Sequence, residues 1–384
     1  MKNKFAFISL IIIALLFSCE KKDNTGVDAV LFLAYYIPAK EKVLGDTPSV
    51  ALLKYENNKL YYSASAFLNA YPPTGMTENA DINNNILAMG LHSDFDKDGG
   101  RGLYMDLSAD NAFYLPLVPP SKSSLYSYFQ PTTADVTENG YVVYSSATNN
   151  RSYGDEYIPF LIRYNVATKD SLVAISPKAF ALSQPEKGTD TETGIIQRNI
   201  FASPDGKYAY GCISAFGLDG NIYHYDYYIL FRYDFDAKEY KRLGETNDND
   251  VTIISMNPNR TWILYSNKGQ RKILDLATNT VTYTDMNTVN VKKNSWGENG
   301  ACVGASTGNL YYKDFVNNKE TVVCQTDGWP YNAMFSKDGG KIYFTLDGNN
   351  NNKYLCVTSS LDENSKYDIL GTYPAEFHDM IMVK

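Results

Sequence analysis

GQRKILDLATNTVTYTD, from Gly269 to Asp285, reads as an apolar strand, a polar turn and a second apolar strand, and the chain repeats it. A second clean copy, GLYMDLSADNAFYLPL from Gly102 to Leu117, aligns without gaps. Met105-Asp106-Leu107 falls on Leu274-Asp275-Leu276, and Ser108-Ala109-Asp110 falls on Ala277-Thr278-Asn279. Looser copies are VALLKYENNKLYYSAS from Val50, FLIRYNVATKDSLVAI from Phe160, ILFRYDFDAKEYKRL from Ile229, NLYYKDFVNNKETVVCQ from Asn309 and KYLCVTSSLDENSKYDIL from Lys353, seven in all. A hairpin recurring every roughly 40 to 70 residues, too small to bury its own apolar faces, implies blades stacked radially around an axis.

A second signal precedes several hairpins. Phe201-Ala202-Ser203-Pro204-Asp205-Gly206-Lys207-Tyr208, Phe335-Ser336-Lys337-Asp338-Gly339-Gly340-Lys341-Ile342 and the degenerate Met256-Asn257-Pro258-Asn259-Arg260 each place Pro, Asp or Gly where a tight turn needs them. With strands lettered A to D outward, these turns join A to B and the hairpin turns join C to D. Strand direction alternates, so both turn types share one end, and the B to C and D to A connections share the other. The expected architecture is all-β: a seven-bladed β-propeller of four-stranded antiparallel blades, with six or eight blades left open because the second blade lacks a clear A strand. Phe377 to Val383 is a strand with no hairpin after it, and Val27 to Ile37 precedes the first hairpin, so the C-terminal strand is expected to pair with the N-terminal ones. Closure of that kind removes exposed edges.

Ser-Pro-Asp-Gly-Lys followed by an aromatic-rich strand resembles the TolB-type and WD-like propeller repeats. The resemblance implies a fold over nearly the whole mature chain and no particular activity.

The amino terminus reads separately. Lys2 and Lys4 precede the apolar run Phe5 to Phe17, too short to span a bilayer, and Leu16-Phe17-Ser18-Cys19 resembles a bacterial lipobox. The resemblance implies a signal peptide over residues 1–18, acylation of Cys19, a polar tether over 19–26 and a single domain over 27–384. Two or three acyl chains anchor firmly, at about 0.8 kcal/mol per buried CH2. The whole resembles the outer-membrane lipoproteins of Bacteroidota, implying an outer-membrane address, the cell surface more than the periplasmic face. Losing Lys2 and Lys4 takes the net charge from -8 to -10, and no basic stripe offsets it, which argues against nucleic acid as a partner. The expected partners are the membrane, through the anchor, and a small molecule, a glycan or an outer-membrane protein. Cys212, Cys302, Cys324 and Cys356 all sit in apolar strands and are read as buried thiols. Cys302 and Cys324, two strand spacings apart, lie too far apart to bridge.

Irregular residues collect at the B to C and D to A end: His92 to Arg101, Thr148 to Tyr157, Ser176 to Arg198, Phe216 to His224 and Asp347 to Lys353. Rings and polar groups there, namely Arg151, Tyr153, Tyr157, Phe216, Tyr223, His224, Tyr225, Trp329 and Tyr331, form the candidate ligand-binding set, able to stack on a sugar or aromatic ligand and pair with an anion. Tyr223, Tyr225 and Tyr227 are expected to share one strand face. Asp94, Asp96 and Asp98, followed by Gly99, open like a calcium loop, although position 12 is Met105. No cofactor is required, with calcium as an optional ion. The three histidines, His92, His224 and His378, join no hydrolase motif, and Asp155, Glu156, Asp219 and Asp226 could supply a glycosidase-type pair among the many acids of the polar loops. The reading is therefore a membrane-anchored protein that captures a glycan or a small aromatic or metal-chelating molecule for an uptake system, with a protein scaffold as alternative and an enzyme third.

Overall fold

The computed structural model describes residues 29–36, 49–56, 59–63, 75–76, 81–83, 86–92, 101–106, 111–116, 126–128, 134–150, 156–175, 195–196, 199–219, 222–245, 250–284, 291, 295–297, 301–306, 308–336, 338–347, 353–373 and 376–383. The described strands form seven antiparallel sheets. Sheet 1 holds β1 (Ala29–Tyr36), β2 (Ser49–Glu56) and β3 (Lys59–Ser63). Sheet 2 holds β4 (Gly75–Met76), β5 (Asp81–Asn83), β6 (Ile86–His92), β7 (Arg101–Asp106) and β8 (Asn111–Tyr114). Sheet 3 holds β9 (Tyr126–Tyr128), β10 (Asp135–Val136), β11 (Tyr141–Asn150), β12 (Glu156–Asn165) and β13 (Ser171–Ile175). Sheet 4 holds β14 (Ile195–Ile196), β15 (Phe201–Ala202), β16 (Tyr208–Asp219), β17 (Ile222–Asp234) and β18 (Glu239–Arg242). Sheet 5 holds β19 (Val251–Met256), β20 (Trp262–Asn267), β21 (Gln270–Asp275) and β22 (Thr280–Tyr283). Sheet 6 holds β23 (Ala301–Ser306), β24 (Asn309–Asp314) and β25 (Lys319–Gln325). Sheet 7 holds β26 (Pro330–Phe335), β27 (Ile342–Asp347), β28 (Lys353–Thr358) and β29 (Tyr367–Tyr373). The last strand, β30 (Glu376–Val383), returns to sheet 1 and pairs antiparallel with β1, from Ala29 opposite Val383 to Tyr35 opposite Glu376.

Among the described side chains, sheets 2 to 7 bury apolar faces against their neighbours in the sequence. Successive strand residues point to opposite faces, so Val142 and Tyr144 pack with Ala88 and Tyr104 of sheet 2 while Val143 packs with Ile213 and Phe231 of sheet 4. Strands sandwiched in this way are apolar at nearly every position, which is why the middle strands read as continuous apolar runs. Phe201, Tyr210 and Leu230 continue the stack onto Ile253, Ile263 and Leu274 of sheet 5. Val303, Leu310 and Val323 join sheet 6 to Ala333, Ile342 and Phe344 of sheet 7, and β30 touches both β26 and β5.

The inner strands are irregular throughout. Sheets 2, 3 and 4 split theirs into the short pairs β4 and β5, β9 and β10, and β14 and β15, so the A strand that the sequence leaves unclear in the second blade is present in two pieces. Register shifts interrupt β19 after Ile253 and β26 after Tyr331, and the β1 to β30 pairing between Leu33 and Ala34. Among the described residues sheet 6 shows three strands. Its three strands are accompanied by Ser295 and Trp296, whose side chains donate to Ala333 O (2.6 Å) and Ser255 Oγ (2.6 Å) in the inner strands on either side.

Both turn types are rebuilt copy by copy from local hydrogen bonds. In the A to B turns Ser203 Oγ, Asn257 Oδ1 and Ser336 Oγ accept the backbone N–H of Tyr208, Trp262 and Lys341, and Thr137 Oγ1 accepts that of Tyr141. Asp205 and Asp338 brace the two serines, and Gly206, Gly339 and Gly140 take the positive φ. In the C to D turns Asn165, Asp234, Asp275 and Asp314 each accept the N–H groups two and three residues on. Lys169, Lys238, Asn279 and Asn318 follow with positive φ. The two turn types meet as expected at one end: Phe235 N donates to Lys207 O (3.0 Å) and Leu276 N to Thr261 O (2.8 Å).

One buried charge ties three sheets. Asp135 of β10, fully buried, accepts Ala202 N of β15 (2.5 Å) and forms a 2.9 Å ion pair with Arg260 of the β19 to β20 turn. Asp135→Ala strands the largely buried guanidinium, so we expect a loss of about 3–5 kcal/mol in urea denaturation.

The turn carboxylates set the acid response. Asp205 and Asp338 are held below the ordinary carboxylate value chiefly by the Ser203 and Ser336 hydroxyls, and Asp234, Asp275 and Asp314 chiefly by the N–H groups of Ala237, Thr278 and Asn317. Depressed folded values mean that the unfolded chain binds more protons. Their stabilisation is complete above the ordinary value of 3.8 and is lost as pH falls through the folded values. Urea midpoints should hold down to about pH 5 and drop steeply below about pH 4. Asp275→Asn should keep the turn, as Asn165 does in sheet 3, and shallow that drop.

Candidate functional site

Strand lengths separate the two ends of the molecule. β20 and β21 have 6 residues each, whereas β11 and β12 have 10 each and β16 and β17 have 12 and 13. All start level at the turn end, since Tyr141, Tyr208 and Trp262 each pair with the residue that opens a C to D turn. The four to seven extra residues therefore carry the hairpins of sheets 3 and 4 roughly 13 to 23 Å beyond those of sheet 5, at the B to C end.

This corrects the sequence reading in two places. Phe216 to His224 and the flanks of Thr148 to Tyr157 are not loops: β16 runs to Asp219, β17 begins at Ile222, β11 runs to Asn150 and β12 begins at Glu156. Alternating aromatic and polar residues supported that ladder, but polar Asn and Gly obscured it. The tyrosine row is also broken. Ala215 pairs with Tyr227 and Phe216 with Tyr225, so Asp226 is a bulge residue. Opposite residues share a face and consecutive ones do not, so positions 216, 218, 223 and 225 lie on one face and 215 and 227 on the other. His224 falls opposite Gly217. In sheet 3, Tyr157 and Tyr126 flank Asn149 on one rung, and Tyr126 is a position that motif reading missed because its short strand carries no turn signal. Arg151, Tyr153, Asp94, Asp96, Asp98 and Cys19 lie outside the described residues.

Trp329 and Tyr331 are brought together with two residues the sequence did not single out, Asp347 and Lys353. Trp329 is 56% exposed although its backbone is fixed, its carbonyl accepting Asp347 N at 3.2 Å. Thr326 Oγ1 donates to Gly328 O (2.8 Å), and a Cβ at Gly328 would lie 2.3 Å from Asp347 O, so only glycine permits this approach. Lys353 pairs with Asp347 across the end of the β27 to β28 ladder. Burial first, then the Asp347 carboxylate, raise the Tyr331 phenol above its ordinary value. The outcome is an indole face held open to solvent on a rigid base, beside a neutral phenol and an ion pair, at the same end as the long hairpins. Such a surface stacks on a ring and hydrogen-bonds its rim.

The thiols take no part. Cys212, Cys324 and Cys356 are free and buried, and burial raises all three, Cys212 and Cys356 to about 12, which leaves them protonated and inert.

Seven antiparallel sheets stacked in chain order define a propeller-like, all-β fold. No protein-family model matches this chain, and no curated protein does. Among solved structures, an oligogalacturonate lyase in complex with manganese matches at TM-score 0.55 and 15% identity, over 87% of this chain and 91% of that one. TolB from Acinetobacter baumannii matches at TM-score 0.42 and 13% identity, over 88% and 79%. A putative TolB from Agrobacterium tumefaciens matches at 0.39 and 10%, over 68% and 84%. At such identities the likeness concerns the fold, and no residue's role carries across.

The indole and its support separate by mutation. Gly328→Ala should cost about 1–3 kcal/mol in urea denaturation, while Trp329→Ala should stay within about 0.5 kcal/mol of the parent.

Proposed function

We propose that this chain is a lipid-anchored propeller of seven blades, closed by β30 on β1, that binds a ligand at the outer membrane and hands it to a neighbouring uptake system. The observation that carries the reading is the Trp329 indole, exposed yet held by a backbone with no freedom to withdraw it. Burying an exposed ring on a partner is favourable, and a preorganised ring loses little entropy in doing so. A glycan suits it best, because sugar faces stack on rings and sugar hydroxyls suit Asp347, Lys353 and Tyr331; a small aromatic or metal-chelating molecule uses the same stacking. Cys19 supplies the anchor, the outward-facing surface of the outer membrane is the address, and calcium at Asp94, Asp96 and Asp98 would stiffen the loop before β7.

An envelope protein as partner is the second reading. The length of the sheet 3 and sheet 4 hairpins favours it, since projecting ribbons present more area than a monosaccharide needs.

A defined glycan array decides between them. We expect the full chain to retain a subset of glycans and Trp329→Ala to weaken that binding about tenfold or more at unchanged stability. Wild-type protein that binds no glycan, yet is isolated through its anchor in a stoichiometric outer-membrane complex, would overturn the first reading in favour of the second.

A further inference from the structure

The opposite end, where the sequence shows only short turns, carries a cleft of about 280 Å3 between sheets 5 and 6. Trp262, Ile273, Asp275, Thr282, Phe315 and Asn318 are among the residues that line it. Its origin is legible in the repeat. Tyr141, Tyr208 and Trp262 occupy one equivalent position, each opposite the first residue of a C to D turn. Arg163, Arg232 and Ile273 occupy another, two residues before that turn. Phe235, Leu276 and Phe315 occupy a third, the residue after the turn opens in the following sheet.

Between sheets 3 and 4 the slot is filled from within. The Arg163 guanidinium lies 4.9 Å from the Tyr141 ring centroid and 5.0 Å from that of Phe235, and its Nη1 donates to Gly206 O at 2.9 Å. In sheet 4 the equivalent Arg232 lies 4.6 Å over the ring of Tyr208 in the same sheet. Between sheets 5 and 6 both flanking rings are present, Trp262 and Phe315, but the filling residue is the short, apolar Ile273. The cleft is the space an arginine head occupies two sheets earlier.

We propose that this cleft is a binding site for a guanidinium group supplied from outside the chain. Trp262 and Phe315 line the space, Phe315 with one side already stacked on Trp296 at 5.2 Å, and aromatic rings attract a planar cation, tryptophan most strongly. Asp275 stands in the wall already oriented, its Oδ1 accepting Ala277 N and Thr278 N at 2.9 Å each and its Oδ2 accepting Trp262 Nε1 at 3.1 Å. These bonds fix the carboxylate in place, and its negative charge attracts an incoming guanidinium. The hydroxyl of Thr282 adds an acceptor at the rim, where Asn318 Oδ1 already accepts Lys313 Nζ at 3.0 Å, and the chain's net charge of -8 draws a cation in. The site is independent of the Trp329 surface, at the other end of the blades.

Calorimetry on the full chain tests the proposal with three probes: a short peptide bearing one arginine, its lysine counterpart, and free ethylguanidine. We expect the arginine peptide to bind and the lysine peptide to bind about tenfold more weakly, because an ammonium cannot lie flat between two rings. Peptide binding tighter than ethylguanidine identifies the source as an arginine side chain of a protein partner, and equal binding identifies a small guanidino compound. Ile273→Arg should fill the slot as Arg163 does, raise thermal stability and abolish binding. Should that variant fail to fold, Trp262→Leu replaces it and should weaken binding about tenfold. Equal affinity for arginine and lysine peptides, or undiminished arginine binding in either folded variant, overturns the proposal.

Discussion

Sheets that carry apolar residues on both faces have to be fixed to one another, and at the centre of this molecule Asp135 does so with a charge. A carboxylate with no solvent exposure is unfavourable by several kcal/mol unless hydrogen-bonded and paired. Asp135 receives a backbone N–H from the next sheet and a guanidinium from the one after. Apolar packing alone between blades leaves sliding along the strands weakly opposed, because one aliphatic side chain serves nearly as well as the next. An ion pair reaching across two sheet boundaries has one geometry. It sets the height of sheet 3 against sheet 5, with sheet 4 held between them.

The turn end extends that constraint outward. The C to D turns of sheets 3 to 6 are closed by a side chain of their own first residue and the A to B turns of sheets 3, 4, 5 and 7 by another, so the frames of these blades are built locally and repeat closely. Side chains between the frames are then free to diverge without moving the backbone. Arg163 uses that freedom to stitch sheet 3 to sheet 4 through the Phe235 ring, Arg232 to cover Tyr208 of its own sheet, and Ile273 to leave a space. Identical backbone positions thus hold a structural cation in one place and an open cleft in another.

What the sequence revealed, and what it withheld, follows from the same division. The hairpins, both turn types, the pairing of the last strand with the first and the buried thiols of Cys212, Cys324 and Cys356 were readable, because each depends on local residue chemistry: an Asx residue before two free N–H groups, Gly at positive φ, apolar runs. The inner strand of sheet 2 was not, because β4 and β5 have 2 and 3 residues and are held by β6, not by their own pattern. Phe216 to His224 looked like a loop because Gly217 and Gly220 interrupt it, whereas the ladder there is maintained by the partner strand. The bulge at Asp226, which parts Tyr225 from Tyr227, has no marker at all in the sequence. At the candidate site Trp329 and Tyr331 were legible as loop-side rings. Asp347 and Lys353 were not, because their relation to the rings is made by cross-strand register.

Why the two ends differ so much in strand length has a physical reason. Among the described side chains, the cores that join sheet 4 to its neighbours draw on β16 as far as Ile213 and on β17 from Ile229. The six rungs nearest the turns therefore carry blade packing. Added rungs extend a hairpin that is already anchored there, and each brings its own ladder hydrogen bonds. The turn end has less latitude, since Val166 N to Gly140 O, Phe235 N to Lys207 O and Leu276 N to Thr261 O tie the two turns of sheets 3, 4 and 5 to each other. Variation at that end is confined to side chains and at the other is open to whole strands. A small, shaped slot is therefore the kind of site the first can hold, and a broad projecting surface the kind the second can.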